Sequence, residues 1–183
     1  MRIVLTGISC VGKTTTGRLL AEKLEYSFVD FDEEVTKRMG KPLAFLKDEA
    51  FNEHGYRNMV KHIIPEILKE HPGRLVLAMP PGGLFREYKT VFDRNPDIIT
   101  VWLKDSAKNI LKRIVFTDDY DNPLEVELSE RELRYYFNDI KKDIEYYRST
   151  HSKAKLHFSV DGLSAEEAAD GLILAMGVTG QSR

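Results

Sequence analysis

Short runs of aliphatic and β-branched residues alternate along this chain with longer amphipathic segments. Five of the runs have the length of strands: Arg2–Thr6, Ser27–Asp30, Leu75–Met79, Ile98–Leu103 and Leu156–Val160. Most of the sequence between them repeats apolar residues every three or four positions, which is typical of helices that bury one face. Strands that alternate with helices predict a three-layer α/β/α sandwich around a mostly parallel sheet.

The helical segments have recognisable limits. Ser129 with Glu132, and Ser164 with Glu167, match the capping box that starts many helices. Gly55 interrupts the long polar-apolar pattern between the second and third strands, so we expect a break there. The predicted helices are Lys13–Leu24, Phe31–Met39, Leu43–His54, Tyr56–Glu70, Leu84–Asp93, Ser106–Phe116, Ser129–Tyr147 and a last one from Ser164 to about Met176.

Composition narrows the class of protein. The chain has 183 residues, of which 42% are hydrophobic and 31% charged, so residues 1–183 suit one globular domain. A net charge of −2 gives no basic excess for nucleic acid or an anionic membrane, and no apolar run approaches a bilayer span. Because strand-like sequence begins at Arg2, we expect no signal peptide and a cytoplasmic location. The single cysteine and the five histidines show no metal-ligand spacing, and we interpret the histidines as structural or surface residues.

The segment Gly7–Thr14 (GISCVGKT) satisfies the phosphate-binding pattern G-x-x-x-x-G-K-[ST] between a predicted strand and helix. Glycines let backbone N–H groups curl around phosphates, and the helix start adds positive charge. Lys13 can reach the β- and γ-phosphates of ATP, and the Thr14 hydroxyl can ligate Mg²⁺. The alternative is an ordinary glycine turn before a helix. The predicted nucleotide-binding residues here are Gly7, Ser9, Cys10, Val11, Gly12, Lys13, Thr14 and Thr15.

Two aspartates end the second strand. Asp30 and Asp32 lie two positions apart, so on an extended chain they project to the same side. One carboxylate could hold Mg²⁺ and the other could accept a hydroxyl proton as a general base. Alternatively, they cap the following helix, since aspartate is favoured at that position.

Four other segments are candidates for ligand binding. Arg57 could bind an anionic substrate or be a surface arginine. The turn Pro81–Gly83 either exposes backbone that a ligand can approach closely or is a plain turn. Arg113 could stack on adenine or neutralise phosphate, and Asp161–Leu163 could lie at the edge of the adenine. The polar, acidic loop at about residues 116–128 is predicted to form a lid.

These motifs together resemble the shikimate kinase family, within the wider nucleoside monophosphate kinase-like group. The matching segments are GISCVGKTT, FVDFDEEVTKRMG, GYRNM and LAMPPGG, with Pro81 in place of the first of three glycines. The resemblance implies strand order 2-3-1-4-5 and transfer of the γ-phosphate of ATP to a hydroxyl of a small metabolite. It implies that Asp30 serves Mg²⁺, that Asp32 meets the substrate hydroxyl and that Arg57 binds substrate. We expect a monomer or small homo-oligomer.

Two positions depart from that family's pattern. Asn122 stands where the lid arginine is expected, and Asp143 where a further substrate arginine is expected. Lys142, Arg131 or Arg134 could compensate. A substrate carboxylate without these cations loses charge-assisted hydrogen bonds of roughly 1.5–3 kcal/mol each. A neutral or cationic acceptor would suit the acidic lid better.

Three alternatives follow from the same residues. The acceptor could be a sugar acid or a nucleoside monophosphate, although the lid lacks the arginine cluster expected around two nucleotides. The chain could instead be a nucleotide-binding switch with weak hydrolysis, but the strand Leu75–Met79 leads into Pro80 rather than a Mg²⁺-binding aspartate. An inactive family member is disfavoured because Lys13, Thr14, Asp30 and Asp32 are all present.

Overall fold

Five strands pair in parallel and form the centre of the computed structural model, which describes residues 1–120 and 122–178. They are β1 (Arg2–Thr6), β2 (Ser27–Asp30), β3 (Leu75–Ala78), β4 (Ile98–Lys104) and β7 (Leu156–Ser159). The order across the sheet is β2-β3-β1-β4-β7, so the predicted order 2-3-1-4-5 of the five sheet strands is confirmed. Two short strands, β5 (Phe116–Thr117) and β6 (Pro123–Leu124), form a separate antiparallel hairpin.

Helices cover both faces of this sheet, as the alternating pattern predicts. Between β1 and β2 lies α1 (Lys13–Leu24). The helices between β2 and β4 are α2 (Phe31–Met39), α3 (Leu43–Glu49), α4 (Glu53–Val60), α5 (Ile63–Glu70) and α6 (Arg86–Asp93). Those that follow β4 are α7 (Ala107–Leu111), α8 (Glu130–His151) and α9 (Ala165–Met176). In the described part of the chain, no helix combines the length and apolar character needed to cross a membrane.

The core has two halves, one on each face of the sheet. Val4 of β1 packs with the α2–α6 side, while its neighbours Ile3 and Leu5 pack on the other face with α1 and α9. All three side chains are fully buried. A strand that is buried on both faces has a continuous apolar sequence. This explains why β1 could be predicted although apolar and polar residues do not alternate along it.

The predicted capping boxes of α8 and α9 are both present. The Ser129 side chain accepts from the Glu132 backbone and the Glu132 side chain from the Ser129 backbone, and Ser164 and Glu167 do the same. However, α8 continues to His151 rather than ending at Tyr147. The ring of Tyr147 stacks on that of His151 one turn later at a centroid distance of 5.6 Å, so the last turn is held by packing.

The region before β3 contains shorter helices than predicted. The predicted helix Leu43–His54 is wrong, because Phe51 adopts a φ of 61° and the Asn52 side chain starts a new helix by accepting from Gly55 N–H. Gly55 therefore lies inside α4, where a β-carbon would come 2.2 Å from the Ala50 carbonyl oxygen. Pro65 explains the second break, since its ring and missing N–H prevent a continuous helix across the α4–α5 boundary.

The region before α8 also differs from the prediction. The helix expected over Ser106–Phe116 ends at Leu111 in the structure. The polar loop after it contains the β5–β6 hairpin, in which Asp118 Oδ1 accepts from the backbone N–H groups of Tyr120 and Asn122, each at 2.9 Å. Short side-chain-to-backbone bonds of this kind stabilise turns that apolar periodicity does not reveal.

Candidate functional site

The loop between β1 and α1 has the backbone shape of a phosphate cradle. Gly7, Cys10 and Gly12 have positive φ angles of 149°, 58° and 103°. A β-carbon on Gly7 would lie 2.7 Å from the Leu103 carbonyl oxygen, so this first position requires glycine. Ser9 is exposed at the tip of the loop, whereas Val11 is buried beneath it.

Lys13 lies folded over this loop. Its Nζ atom donates to the carbonyl oxygens of Gly7 at 2.9 Å and Ile8 at 2.8 Å. Burial lowers the pKa of Lys13 to about 8, although the carboxylates of Asp32 and Asp30 act in the opposite direction. The ammonium group is therefore held by weak neutral acceptors, which phosphate oxygens can replace with stronger charge-assisted bonds.

Thr14 and Asp30 meet at the end of β2. The Thr14 hydroxyl donates to Asp30 Oδ2 at 2.7 Å, and Asp30 Oδ1 accepts from the backbone N–H of Asp32 at 3.1 Å. Asp30 is thus the N-cap of α2, as the alternative interpretation of the pair suggests. The extended-chain argument is wrong in its detail, because the strand ends at Asp30 and Asp32 belongs to the first helical turn.

The carboxylate of Asp32 nevertheless lies close to Lys13. Its negative charge raises the pKa of Lys13. Burial raises the pKa values of Tyr56 and Tyr88, and the charge of Asp32 raises them further. The hydroxyl groups of both tyrosines are buried, and neither finds a hydrogen-bond partner among the described residues. The sequence analysis does not identify these two tyrosines, whose only signal is their place within apolar helix faces.

Arg57 is surrounded by acidic and aromatic side chains. Its Nε atom lies 3.3 Å from Glu87 Oε1 and its Nη1 atom 3.7 Å from Glu53 Oε2, while the guanidinium carbon lies 4.4 Å from the centre of the Phe85 ring. A β-carbon on Gly82 would be 3.8 Å from Arg57 Cδ, so the arginine borders the loop after β3.

The loop after β3 is fixed by contacts with distant parts of the chain. His151 Nε2 donates to the carbonyl oxygen of Pro81 at 2.8 Å, and burial lowers the pKa of this histidine to about 4. His151 is 1% exposed, in agreement with a structural interpretation. At Gly83 a β-carbon would lie only 2.4 Å from Met79 Cβ, so the protein's own packing requires this glycine.

Helix α8 brings Tyr147 close to Arg57, with Asp143 one turn before it on the same helix. Burial raises the pKa of Tyr147, and the negative charges of Asp143 and Glu53 raise it further, whereas the positive charge of Arg57 lowers it. The rings of Phe85 and Tyr147 meet edge to face at 6.0 Å. We refer to this group as the Arg57 cluster; its members are Glu53, Arg57, Phe85, Glu87, Asp143 and Tyr147.

A pocket lies between the loop and the start of α9. A cavity of about 270 Å³ is lined by Gly12, Thr15, Arg113 and Leu163, among others. Arg113 forms an ion pair with Asp105, whose side chain is 1% exposed. The structure thus brings together the loop, the arginine and the segment before α9 that the sequence analysis links with adenine.

Oxygen-containing side chains that could ligate a metal are few at this site. Within residues 1–120 and 122–178, no group of three or more histidine, cysteine, aspartate or glutamate side chains is arranged to hold a metal ion. The adjacent oxygens of Thr14 and Asp30 fit Mg²⁺, which takes one or two protein ligands and completes its shell with phosphates and water.

The sequence comparisons identify one family. A protein-family model described as "Shikimate kinase" matches residues 9–175. The shikimate kinase of Persephonella marina is 26% identical over 174 residues, which cover 93% of this chain and 96% of that protein. The shikimate kinase of Psychromonas ingrahamii is 33% identical over 142 residues, covering 73% and 80% of the two chains.

Solved structures show the same relationship. Shikimate kinase from Bacteroides thetaiotaomicron superposes with a TM-score of 0.79 at 22% identity, covering 97% of this chain and 99% of that one, which supports the fold. Shikimate kinase from Acinetobacter baumannii, solved in complex with shikimate, has a TM-score of 0.70 at 27% identity, with coverage of 96% and 93%.

Proposed function

Because this chain belongs to the shikimate kinase family, a family of small-molecule phosphotransferases, we propose that it transfers the γ-phosphate of ATP to a hydroxyl group of a small metabolite. The observation that carries this proposal is the convergence of Lys13, Thr14, Asp30 and Asp32 at the ends of β1 and β2. A phosphate-binding loop faces a carboxylate there, which is the arrangement that phosphoryl transfer to a hydroxyl needs.

ATP would bind across the loop. Its phosphates would lie in the curve of Gly7–Thr14, where Lys13 would exchange the Gly7 and Ile8 carbonyls for phosphate oxygens. Its adenine would occupy the cavity between Arg113 and Leu163. Thr14 and Asp30 would hold Mg²⁺, which when bound neutralises negative charge on the phosphates.

Asp32 would act as the general base. It would accept the proton of the acceptor hydroxyl while the acceptor oxygen forms a bond to the γ-phosphorus and the bond from that phosphorus to the bridging oxygen breaks, releasing ADP. Arg57 and the loop Pro81–Gly83 would position the acceptor, since both lie at the same edge of the sheet.

The loop at residues 116–128 would serve as a lid; its Asp121 lies outside the described residues. The ring of Tyr120 meets that of Phe45 in α3 at 5.7 Å, which supports closure across the site. A closed lid would exclude water from the transferring phosphate. We further expect one domain over residues 1–183, a monomer or small homo-oligomer, and a cytoplasmic location.

The direct test of the mechanism is Asp32→Asn. We expect kcat for acceptor-dependent ADP release to fall by at least about a hundredfold, because the amide cannot take the proton, while Mg-ADP affinity stays within about twofold. Asp48→Asn, which changes an exposed carboxylate on α3, is the matched control. Full activity of Asp32→Asn would refute the general-base assignment, and ADP release that no acceptor stimulates would favour a hydrolytic switch instead.

A further inference from the structure

We propose that a cavity between the phosphate-binding loop, the end of β4 and the last turns of α8 binds a small organic anion with an apolar body and a single carboxylate, and that this ligand opposes the binding of ATP. We call it the β4–α8 cavity; its volume is about 460 Å³. Lys13, Thr14, Asp32 and Arg57 are absent from its described lining, so it is separate from the proposed sites of the ATP phosphates and the acceptor. The antagonism with ATP rests on the proposed function, whereas the anion site does not.

The walls of the β4–α8 cavity are largely apolar. Three elements supply the apolar residues, which are Ile8 and Val11 of the loop, Trp102 and Leu103 of β4, and Ile144 of α8. A volume of several hundred cubic ångströms, apolar and aromatic walls and a small number of polar groups are typical of sites for small molecules. The cavity therefore suits a compact apolar body, such as a phenyl ring on a short aliphatic chain.

Two cations in the lining are available to a carboxylate. The Lys104 Nζ atom lies 5.4 Å from the centre of the Trp102 ring, and within residues 1–120 and 122–178 this ammonium group forms no ion pair or hydrogen bond. Arg148 forms an ion pair with Glu145, but the side chains of this pair are 62% and 69% exposed, so the pair is weak. A carboxylate beside Lys104 and Arg148 would gain charge-assisted hydrogen bonds that water-exposed partners do not supply.

The carboxylate in the same lining does not cancel this positive charge. Asp105 lines the cavity, but it forms an ion pair with Arg113 and its side chain is 1% exposed. A neighbouring cavity of about 390 Å³ is lined by Arg148 with its partner glutamate and by Lys108 and Lys141. Cations therefore outnumber carboxylates along this side of the molecule, although the whole chain carries a net charge of −2. This charge favours an anionic ligand over a neutral or cationic one.

The β4–α8 cavity also borders the backbone that holds Lys13. Ile8 lines the cavity, and its carbonyl oxygen accepts from Lys13 Nζ at 2.8 Å. The carbonyl oxygen of Leu103, another lining residue, would lie 2.7 Å from a β-carbon on Gly7, so β4 and the loop are in close contact. A ligand packed against Ile8 and Leu103 would hold the loop in the shape in which Lys13 bonds to its own carbonyl oxygens. The proposed binding of ATP exchanges those bonds, so ligand and nucleotide would each weaken the binding of the other.

Trp102 makes binding directly measurable, because it lines the cavity and is the single tryptophan of the chain. The probes are 4-phenylbutyrate, 4-phenylbutanamide and 4-phenylbutylamine, which share one apolar body and carry a negative charge, no charge and a positive charge. Their dissociation constants are measured by Trp102 fluorescence on the full chain without nucleotide. We expect 4-phenylbutyrate to bind at least about tenfold more tightly than the amide or the amine.

Removal of the two cations tests the site. Lys104→Gln and Arg148→Gln should each weaken the binding of 4-phenylbutyrate by at least about threefold, and the double variant should bind the carboxylate and the amide equally. Lys153→Gln, at an exposed lysine outside the described lining, is the matched control and should keep the wild-type constants. In the wild type, saturating Mg-ADP should weaken 4-phenylbutyrate by at least about threefold, and saturating 4-phenylbutyrate should weaken Mg-ADP by the same factor in calorimetry.

The outcomes separate this inference from the proposed function. No saturable fluorescence change with 4-phenylbutyrate, equal binding of the carboxylate and the amide, or an unchanged preference in the double variant overturns the anion site. A dissociation constant for 4-phenylbutyrate that Mg-ADP leaves unchanged overturns the antagonism. A failure of Mg-ADP to bind in calorimetry would contradict the proposed function, whereas the fluorescence test of the anion site needs neither nucleotide nor turnover.

Discussion

At the residue scale, the proposed binding of ATP would depend on the ammonium group of Lys13. It is desolvated, it donates to two carbonyl oxygens, and its pKa is about 8. A phosphate brought into the loop would supply negative charge and thereby raise that pKa, so binding of ATP would be coupled to full protonation of the lysine. Lys13 thus combines hydrogen bonds to its own loop with a proposed role in phosphoryl transfer.

Replacing Lys13 with alanine tests this role. We expect Lys13→Ala to lower kcat by at least about a hundredfold, because one preorganised donor to the transferring phosphate is lost. Circular dichroism and the urea midpoint should show an intact fold, since the side chain bonds only to its own loop. Lys23→Ala, at the other end of α1 in ion pairs with Glu166 and Asp170, is the matched control and should retain activity. Activity of Lys13→Ala near the wild-type level would exclude the lysine from catalysis.

At the scale of elements, α8 is the part of the chain that joins distant regions. Its first turn follows the lid, its middle carries Asp143 and Tyr147 to the Arg57 cluster, and its last turn bonds to the loop after β3 through His151 and Pro81. Trp102 of β4 packs against the same histidine at a centroid distance of 5.6 Å. A change in the last turn of α8 is therefore expected to reach the acceptor side of the site.

Because His151 in α8 is buried, the stability of the folded protein should depend on pH. Its pKa is about 4 in the folded protein and about 6.5 in an unfolded chain, so between these values the unfolded state binds more protons. Stability should therefore fall as the pH drops from about 6.5 to about 4, by up to about 3 kcal/mol.

Urea unfolding across that pH range measures the effect. His151→Gln retains an N–H that can donate to Pro81, and its stability should depend less steeply on pH than that of the wild type. His62→Gln, at an exposed histidine, should keep the wild-type slope. If His151→Gln and the wild type have the same slope, a group other than His151 is responsible.

On the scale of the whole molecule, the site occupies the edge of the sheet where the carboxyl ends of β1, β2 and β3 meet. The cavity beside Arg113 and the Arg57 cluster are formed by different segments of the chain. Ligand binding should therefore stabilise the fold as a unit, because the ligand would contact segments that are far apart in sequence.

Thermal unfolding with and without Mg-ADP tests this expectation. At a ligand concentration of one hundred times Kd, the gain is about 2.7 kcal/mol, or a rise in Tm of about 5–10 °C for a chain of this size. Removal of Mg²⁺ with EDTA, or the Asp30→Asn substitution, should reduce the shift. A shift that is the same in EDTA would contradict a role for Thr14 and Asp30 in holding the metal.

The sequence alone determined the features that are local along the chain. The apolar runs define all five sheet strands to within one residue at their ends, and the loop proposed to bind phosphate lies within the eight consecutive residues Gly7–Thr14. Caps such as Ser129 with Glu132 are likewise set by neighbours three positions apart. Periodicity failed where one side chain altered the local backbone, as Asn52 does at the start of α4.

Only the tertiary structure decided which side chains surround the candidate acceptor. Arg57 meets Glu87 across 30 positions and His151 meets Pro81 across 70, and no periodicity or motif encodes contacts of that separation. Arg57 contacts carboxylates from α4 and α6, and Tyr147 of α8 packs against Phe85 beside them, because these helices pack together on the sheet. The sequence therefore predicts the phosphate-binding half of the site, whereas the charge of the acceptor half follows from packing.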